Sequence, residues 1–213
     1  MHKILLLPKT IFLDGKIFVS QKTIRIFVYL ILPLLLCAIL FTSFSTNGYA
    51  GLYSMSAEMA GIGFTLLFVS LYTRPLRVIL PEFKILATLL AYRRQLGIAT
   101  FYVLAGHGIG LIISLGLLSH ITQIFSNPSS NLMWGILSLD ILFILYLTSN
   151  NASLKKLKRN WKRVQRLVYL ALLFAIMHTV FIGEYIYAMY GIVYVILTIM
   201  AWKKISFRFF SNI

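Results

Sequence analysis

The sequence predicts an all-α, polytopic membrane protein, a six-helix transmembrane bundle with both termini in the cytoplasm. Three observations carry that expectation. The chain of 213 residues is 60% hydrophobic and only 12% charged, with mean hydropathy +0.88, too apolar for an ordinary soluble domain. Its apolar residues gather into runs that approach or exceed the ~18 residues of a membrane-spanning helix. All 20 lysines and arginines fall at one set of alternate connections between those runs or within a turn of them. That asymmetry is the positive-inside signature.

Each element follows in order. Residues 1–25 read as a cytoplasmic or interfacial N-terminal segment. Its first apolar run, Ile4 to Leu7, ends at Pro8, short of the ~7–15 residues of a signal-peptide core, so the segment is expected to be retained. Residues 26–202 form the transmembrane domain, with spans near 26–44, 57–73, 96–118, 132–149, 164–182 and 185–202. The second is expected to stop at Arg74-Pro75. Pro33 lies inside the first, where a membrane helix tolerates it with a kink. The stretch 42–56 reads as a connection without basic residues. Residues 78–92 suggest a surface element of two short amphipathic helices. Residues 203–213 form a cytoplasmic tail.

The formal charge of +15 would suggest nucleic acid in a soluble protein. Here the placement of the cations assigns them to topology and to the headgroups of the lipid bilayer, with no nucleic-acid partner. The single cysteine, Cys37, excludes an internal disulfide and a cysteine-built metal centre, and its apolar run suggests a packing role.

Two histidines stand apart. His107 follows Arg93 by 14 residues and His178 follows Arg163 by 15. At ~1.5 Å per residue these offsets are roughly 21 and 22 Å. Both histidines therefore reach a similar depth in the outer half of a ~30 Å hydrocarbon layer. An ionisable side chain at that depth is costly and marks a candidate functional site. Two buried imidazoles on different helices are an axial ligand set for a b-type haem. The alternative is two unrelated histidines bonded to neighbouring hydroxyls. Gly106 and Gly108 flank His107. They either let a planar ring approach the backbone or, with Gly110, form a small-xxx-small helix contact. His120 reads as interfacial, and His2 is terminal. Asp140 lies midway through the fourth span, where a carboxylate is expected to face the bundle interior. Glu58 and Glu184 sit at the outer boundary, and Tyr49, Tyr53, Trp134, Tyr185 and Tyr187 fit an aromatic belt.

Four local patterns carry a resemblance. They are Thr73-Arg74-Pro75-Leu76-Arg77, Arg93-Arg94-Gln95-Leu96-Gly97 leading to Tyr102 and His107, Leu147-Thr148-Ser149, and Trp161 through Ala171 leading to His178. In order and spacing the chain resembles the ferric reductase-like transmembrane domain superfamily, and within it the haem-b membrane subunits of bacterial periplasmic methionine-sulfoxide reductase systems. The resemblance covers about 57–202. It implies a multi-pass protein of the bacterial inner membrane that carries electrons through one haem b, held by His107 and His178 nearer the outer face. The implied donor is a separate cytoplasmic flavin reductase or a quinone, and the implied acceptor a periplasmic redox partner or ferric iron. The chain departs from the two-haem members at the inner ligand positions, which are Arg93 and Gln165. Neither an amide nor a guanidinium is a good iron ligand, so an inner haem is not expected. Arg93, Arg94, Lys162, Arg163 and Arg166 either hold the phosphate of FMN beside a basic inner face, where a quinone is the other cofactor considered, or are solvated charges facing lipid headgroups. Whether the chain is itself an enzyme, such as a ferric reductase, is left open. The rival functions are a haem-free member acting as a membrane scaffold, and a small transporter.

Overall fold

The computed structural model describes residues 10–13, 16–126 and 131–210. Two short strands, β1 (Thr10–Leu13) and β2 (Lys16–Ser20), pair antiparallel ahead of the bundle. Every later element among the described residues is helical, so the all-α expectation holds for the bundle and this hairpin is an addition to it. Helix α1 (Gln21–Ile26) is capped by the Ser20 hydroxyl, which accepts from the Thr23 N–H at 3.1 Å. A π-helical turn at Phe27–Ile31 then leads into α2 (Leu32–Ile79). Pro33 explains that turn. It has no N–H to give the carbonyl four residues earlier, and a widened turn redistributes the bonds.

Residues 22–79 form one apolar helical stretch of 58 residues. Straight, it would be roughly 87 Å long, almost three times a ~30 Å hydrocarbon layer. It is not straight. Gly48 breaks it with φ 58° and ψ −142°, a conformation that a Cβ would strain. A methyl built on Gly110 would lie 3.4 Å from the Leu40 side chain and would also collide with Ser56. Leu40 and Ser56, roughly 24 Å apart along a straight helix, thus reach the same point. The chain doubles back at Gly48, and the two halves of α2 pack side by side. The connection expected over 42–56 is therefore helical on both sides of one residue. Its hydroxyls are satisfied within the helix, as when Ser45 donates to the Phe41 carbonyl at 2.9 Å and Thr46 to that of Thr42 at 3.0 Å. The second half also runs through Pro75 to Ile79 instead of stopping at Arg74-Pro75.

The rest follows with short connections: α3 (Lys84–Ala91), α4 (Arg93–Ser114), a 3₁₀ turn (Leu117–His120), α5 (Ile121–Ser126), α6 (Asn131–Thr148), α7 (Asn151–Leu157), α8 (Arg159–Gln165), α9 (Val168–Phe181) and α10 (Ile186–Phe210). The amphipathic surface element is one eight-residue helix, α3, rather than two. Among the described residues, five helical stretches are long and apolar enough to cross a membrane, namely 22–79, 93–114, 131–148, 159–181 and 186–205.

Two apolar cores join these helices. Phe64, Leu67, Phe68 and Leu71 of α2 meet Leu172 and Ala175 of α9, with Tyr187 and Tyr194 of α10 packed on them. Leu104 of α4, Leu142 and Leu145 of α6 and the fully buried Ala171 of α9 form the other. Ser138 donates from α6 to the Ala171 carbonyl at 2.9 Å. The basic ends of the helices converge. Lys204 donates to the Ile79 carbonyl at 2.7 Å, Arg94 to the Asn151 side chain at 2.9 Å, and Trp161 and Gln165 both donate to Thr148.

Two sequence expectations fail here. Asp140 is exposed rather than turned into the bundle. The buried positions of α6 are Ser138, Leu142 and Leu145. Asp140 is two residues from each of the first two, which places it on the opposite face of a 3.6-residue helix. Cys37 is likewise exposed and has no packing role in the core.

Candidate functional site

The site is built by α4 and α9, which both lead away from the basic end. Buried positions Val103, Leu104, Gly106 and Gly110 seat α4 against its neighbours, leaving His107 half-buried at a cavity wall. On α9, Ala171, Leu172, Ala175 and Thr179 are buried, and His178 turns into the same cavity. The two imidazoles face each other with ring centroids 6.3 Å apart and planes at 61°.

That spacing can be compared with what one metal ion needs. Two nitrogens on opposite sides of one metal lie about 4 Å apart, twice a ~2.0 Å bond, and each ring radius adds roughly 1 Å, so coaxial rings have centroids about 6 Å apart. The observed centroid separation of 6.3 Å is close to this value.

The hydrogen bonds fix the chemistry of the rings. His107 Nδ1 lies 2.8 Å from the Ser56 carbonyl, and His178 Nδ1 lies 2.7 Å from the Asn131 carbonyl. A carbonyl only accepts, so both Nδ1 atoms donate. Each neutral ring then keeps the Nε2 lone pair available as a ligand. A carbonyl on the far ring nitrogen is the usual way a ligating histidine is oriented. His178 reaches Asn131 across Gly135, one turn further along α6. A Cβ at Gly135 would sit 3.1 Å from His178 Nδ1 and 3.2 Å from Cε1.

Both rings line one cavity, open at its mouth, and its wall is almost wholly apolar. Among the described residues its polar side chains are the two imidazoles and Ser138. An apolar cavity with a few convergent polar groups is the usual form of a cofactor site. The donor set, the ring spacing and the apolar wall all fit a flat macrocycle with two axial imidazoles.

The other sequence candidates divide clearly. Gly108 lines this cavity, whereas Gly106 does not. A Cβ on Gly106 would lie 3.0 Å from the Met59 sulfur, so Gly106 serves the contact between α4 and α2. Arg93 and Gln165 are brought together, but in a second cavity at the basic end. Leu142 lines both cavities. His2 and the side chain of His120 lie outside the described residues. Sequence reasoning missed Ser56, Asn131 and Gly135. The first two act through backbone carbonyls, which leave no mark in the sequence. The third was legible only as one small residue in an apolar helix.

Comparison with known proteins adds the family. A sequence profile described as ferric reductase like transmembrane component matches residues 48–176, more than half of the chain, beginning at the Gly48 turn. Among curated proteins, the protein-methionine-sulfoxide reductase heme-binding subunit MsrQ of Brucella ovis, of Brucella canis and of Brucella suis are each 39% identical over 94 residues. That stretch is 43% of this chain and 42% of each relative, so the match spans about two fifths of the relatives' length. No solved structure matches.

Proposed function

The chain belongs to the ferric reductase like transmembrane component family, and from that premise we propose that it is a haem-b electron-transfer subunit of a bacterial inner membrane. It crosses the bilayer six times with both termini cytoplasmic, counting the two halves of α2 as separate spans. The single observation that carries the function is the pair of imidazoles, 6.3 Å apart, with both Nδ1 atoms committed to carbonyls.

His107 and His178 are the residues that would hold a haem, each through its free Nε2. Ser56 and Asn131 hold the ring orientation, Gly135 leaves room for the His178 ring, and the apolar wall of α4, α6 and α9 excludes water. A bound haem b supplies a one-electron couple, whose potential follows from axial ligands and burial. Electrons enter from the basic, cytoplasmic end, given by a separate flavin reductase or by a quinone. They leave from the opposite face to a periplasmic reductase or to ferric iron. Leu142, which lines both cavities, lies on the path from a donor at the inner cavity to the histidine pair. The relatives are named as heme-binding subunits of a methionine-sulfoxide reductase, which supports both the cofactor and a reductase as acceptor.

The test is a reduced-minus-oxidised optical spectrum of the purified full chain, expressed with haem available. A b-type α-band is expected in the wild type and in His120→Ala, and its loss in both His107→Ala and His178→Ala. A wild-type protein without the band, or single histidine variants that keep it, would refute the proposal.

A further inference from the structure

Asp140 occupies a costly position. Helix α6 is long and apolar enough to cross a membrane, and Asp140 lies nine residues after its first residue and eight before its last. At ~1.5 Å per residue, either end is at least about 12 Å away. A side chain this short cannot reach the interface as lysine and arginine do. The carboxyl is exposed, and among the described residues it has no hydrogen-bond or ionic partner. Ionisable groups at membrane depth turn into the bundle or pair with one another. Within a single chain this one does neither.

The residues beside it form a pattern. Met133, Leu137, Asp140, Ile144 and Leu147 are spaced 4, 3, 4 and 3 residues apart. None is buried, and the last three are exposed. On a 3.6-residue helix they make one stripe roughly 80° wide. The buried Ser138, Leu142 and Leu145 lie on the opposite side. A 3.5-residue repeat is the seam along which two helices pack side by side, and one polar residue in such a seam fixes register and partner number. Apolar contact alone drives little association in lipid, so a hydrogen bond across the seam matters more there. A face that meets only lipid gains nothing from a carboxyl.

The occupant follows from the chemistry. Two copies inserted in the same direction are related by an axis along the membrane normal. A residue on their line of contact then meets its own counterpart at the same depth. A carboxyl in its acid form both donates and accepts, so two such groups close a reciprocal pair of hydrogen bonds. A cation of the second copy cannot serve instead, because every lysine and arginine lies at a connection or within a turn of one. We infer that the outward face of α6 is a contact surface for a second copy of this chain, its seam of Met133, Leu137, Ile144 and Leu147 closing around a hydrogen-bonded pair of Asp140 carboxyls.

The experiment reads association of the full chain in liposomes. Copies tagged at the C-terminus with a donor or an acceptor fluorophore are mixed, and energy transfer is followed as lipid dilutes the protein. The wild type should give a saturable dimer. Asp140→Leu should weaken it roughly tenfold, the worth of one or two hydrogen bonds between membrane helices. Asp140→Asn, which still donates and accepts, should stay within about twofold of wild type. Ile196→Ala, at an exposed position of α10, should change nothing. A second measurement keeps the carboxyl in place. In a Cys37→Ser background, Ile144→Cys should form an interchain disulfide under mild oxidation, because a seam brings paired Cα atoms within the ~7 Å that a disulfide spans. Ile196→Cys should not. A wild-type chain that stays monomeric at every dilution would overturn the inference, and so would one held through this face by a different protein. A dimer that Asp140→Leu leaves intact, or cross-linking at position 196 as strong as at 144, would also overturn it. Neither readout uses the optical spectrum, so this inference and the haem proposal fail separately.

Discussion

Gly135→Ala isolates the support of His178 from its ligand atom. The added methyl would stand 3.1 Å from Nδ1 and 3.2 Å from Cε1 of His178, closer than a ring tolerates without moving. The ring has nowhere easy to go, because the same Nδ1 is tied at 2.7 Å to the Asn131 carbonyl, in the turn that holds Gly135. Either the ring shifts by a few tenths of an ångström or that bond breaks. Overpacking of this kind costs about 1–3 kcal/mol, and a lost hydrogen bond about 1 kcal/mol. Haem affinity should therefore fall by roughly one to two orders of magnitude. The assay is haemin titration of protein prepared without haem, followed at the Soret band, with circular dichroism to confirm helix content. Gly97→Ala is the matched control. Nothing lies within 4 Å of its Cβ position, so it should bind haem normally and gain up to about 1 kcal/mol of helix stability. Equal haem affinity in Gly135→Ala and wild type would refute the assignment of the His178–Asn131 contact as ligand support.

Two further outcomes are expected. Gly48→Ala should destabilise the protein by about 1–3 kcal/mol in a denaturing-detergent titration, because its backbone conformation suits glycine alone, while folded protein keeps the same optical spectrum. Asp140→Leu should leave the spectrum unchanged and favour membrane insertion by about 3–4 kcal/mol on a translocon scale, since Asp140 is exposed. Loss of the haem band in Asp140→Leu would revive a role for this carboxylate in orienting a histidine.

Much of the architecture was legible because apolar length and basic clusters report directly on bilayer depth. Spans at 93–114 and 131–148 lie within a few residues of their expected positions. The histidine pair was legible for the same reason. Equal offsets from two basic ends on helices running the same way place both rings at one level. What stayed hidden depends on azimuth rather than depth. Gly106 and Gly108 are equally close to His107 in sequence, yet one faces Met59 and the other the cavity. Asp140 sits at the expected depth but on the outward face of α6. The polar stretch around Gly48 reads as a loop because serine and threonine signal turns, although in a helix their hydroxyls bond the preceding turn instead.

The most direct measurement of the central claim is the electron paramagnetic resonance spectrum of the oxidised, haem-loaded protein. The account predicts a low-spin ferric signal typical of two axial imidazoles, replaced by a high-spin signal or by loss of haem in either histidine variant. A wild-type protein whose iron is high-spin and five-coordinate would contradict it, because His107 and His178 would then not share one metal.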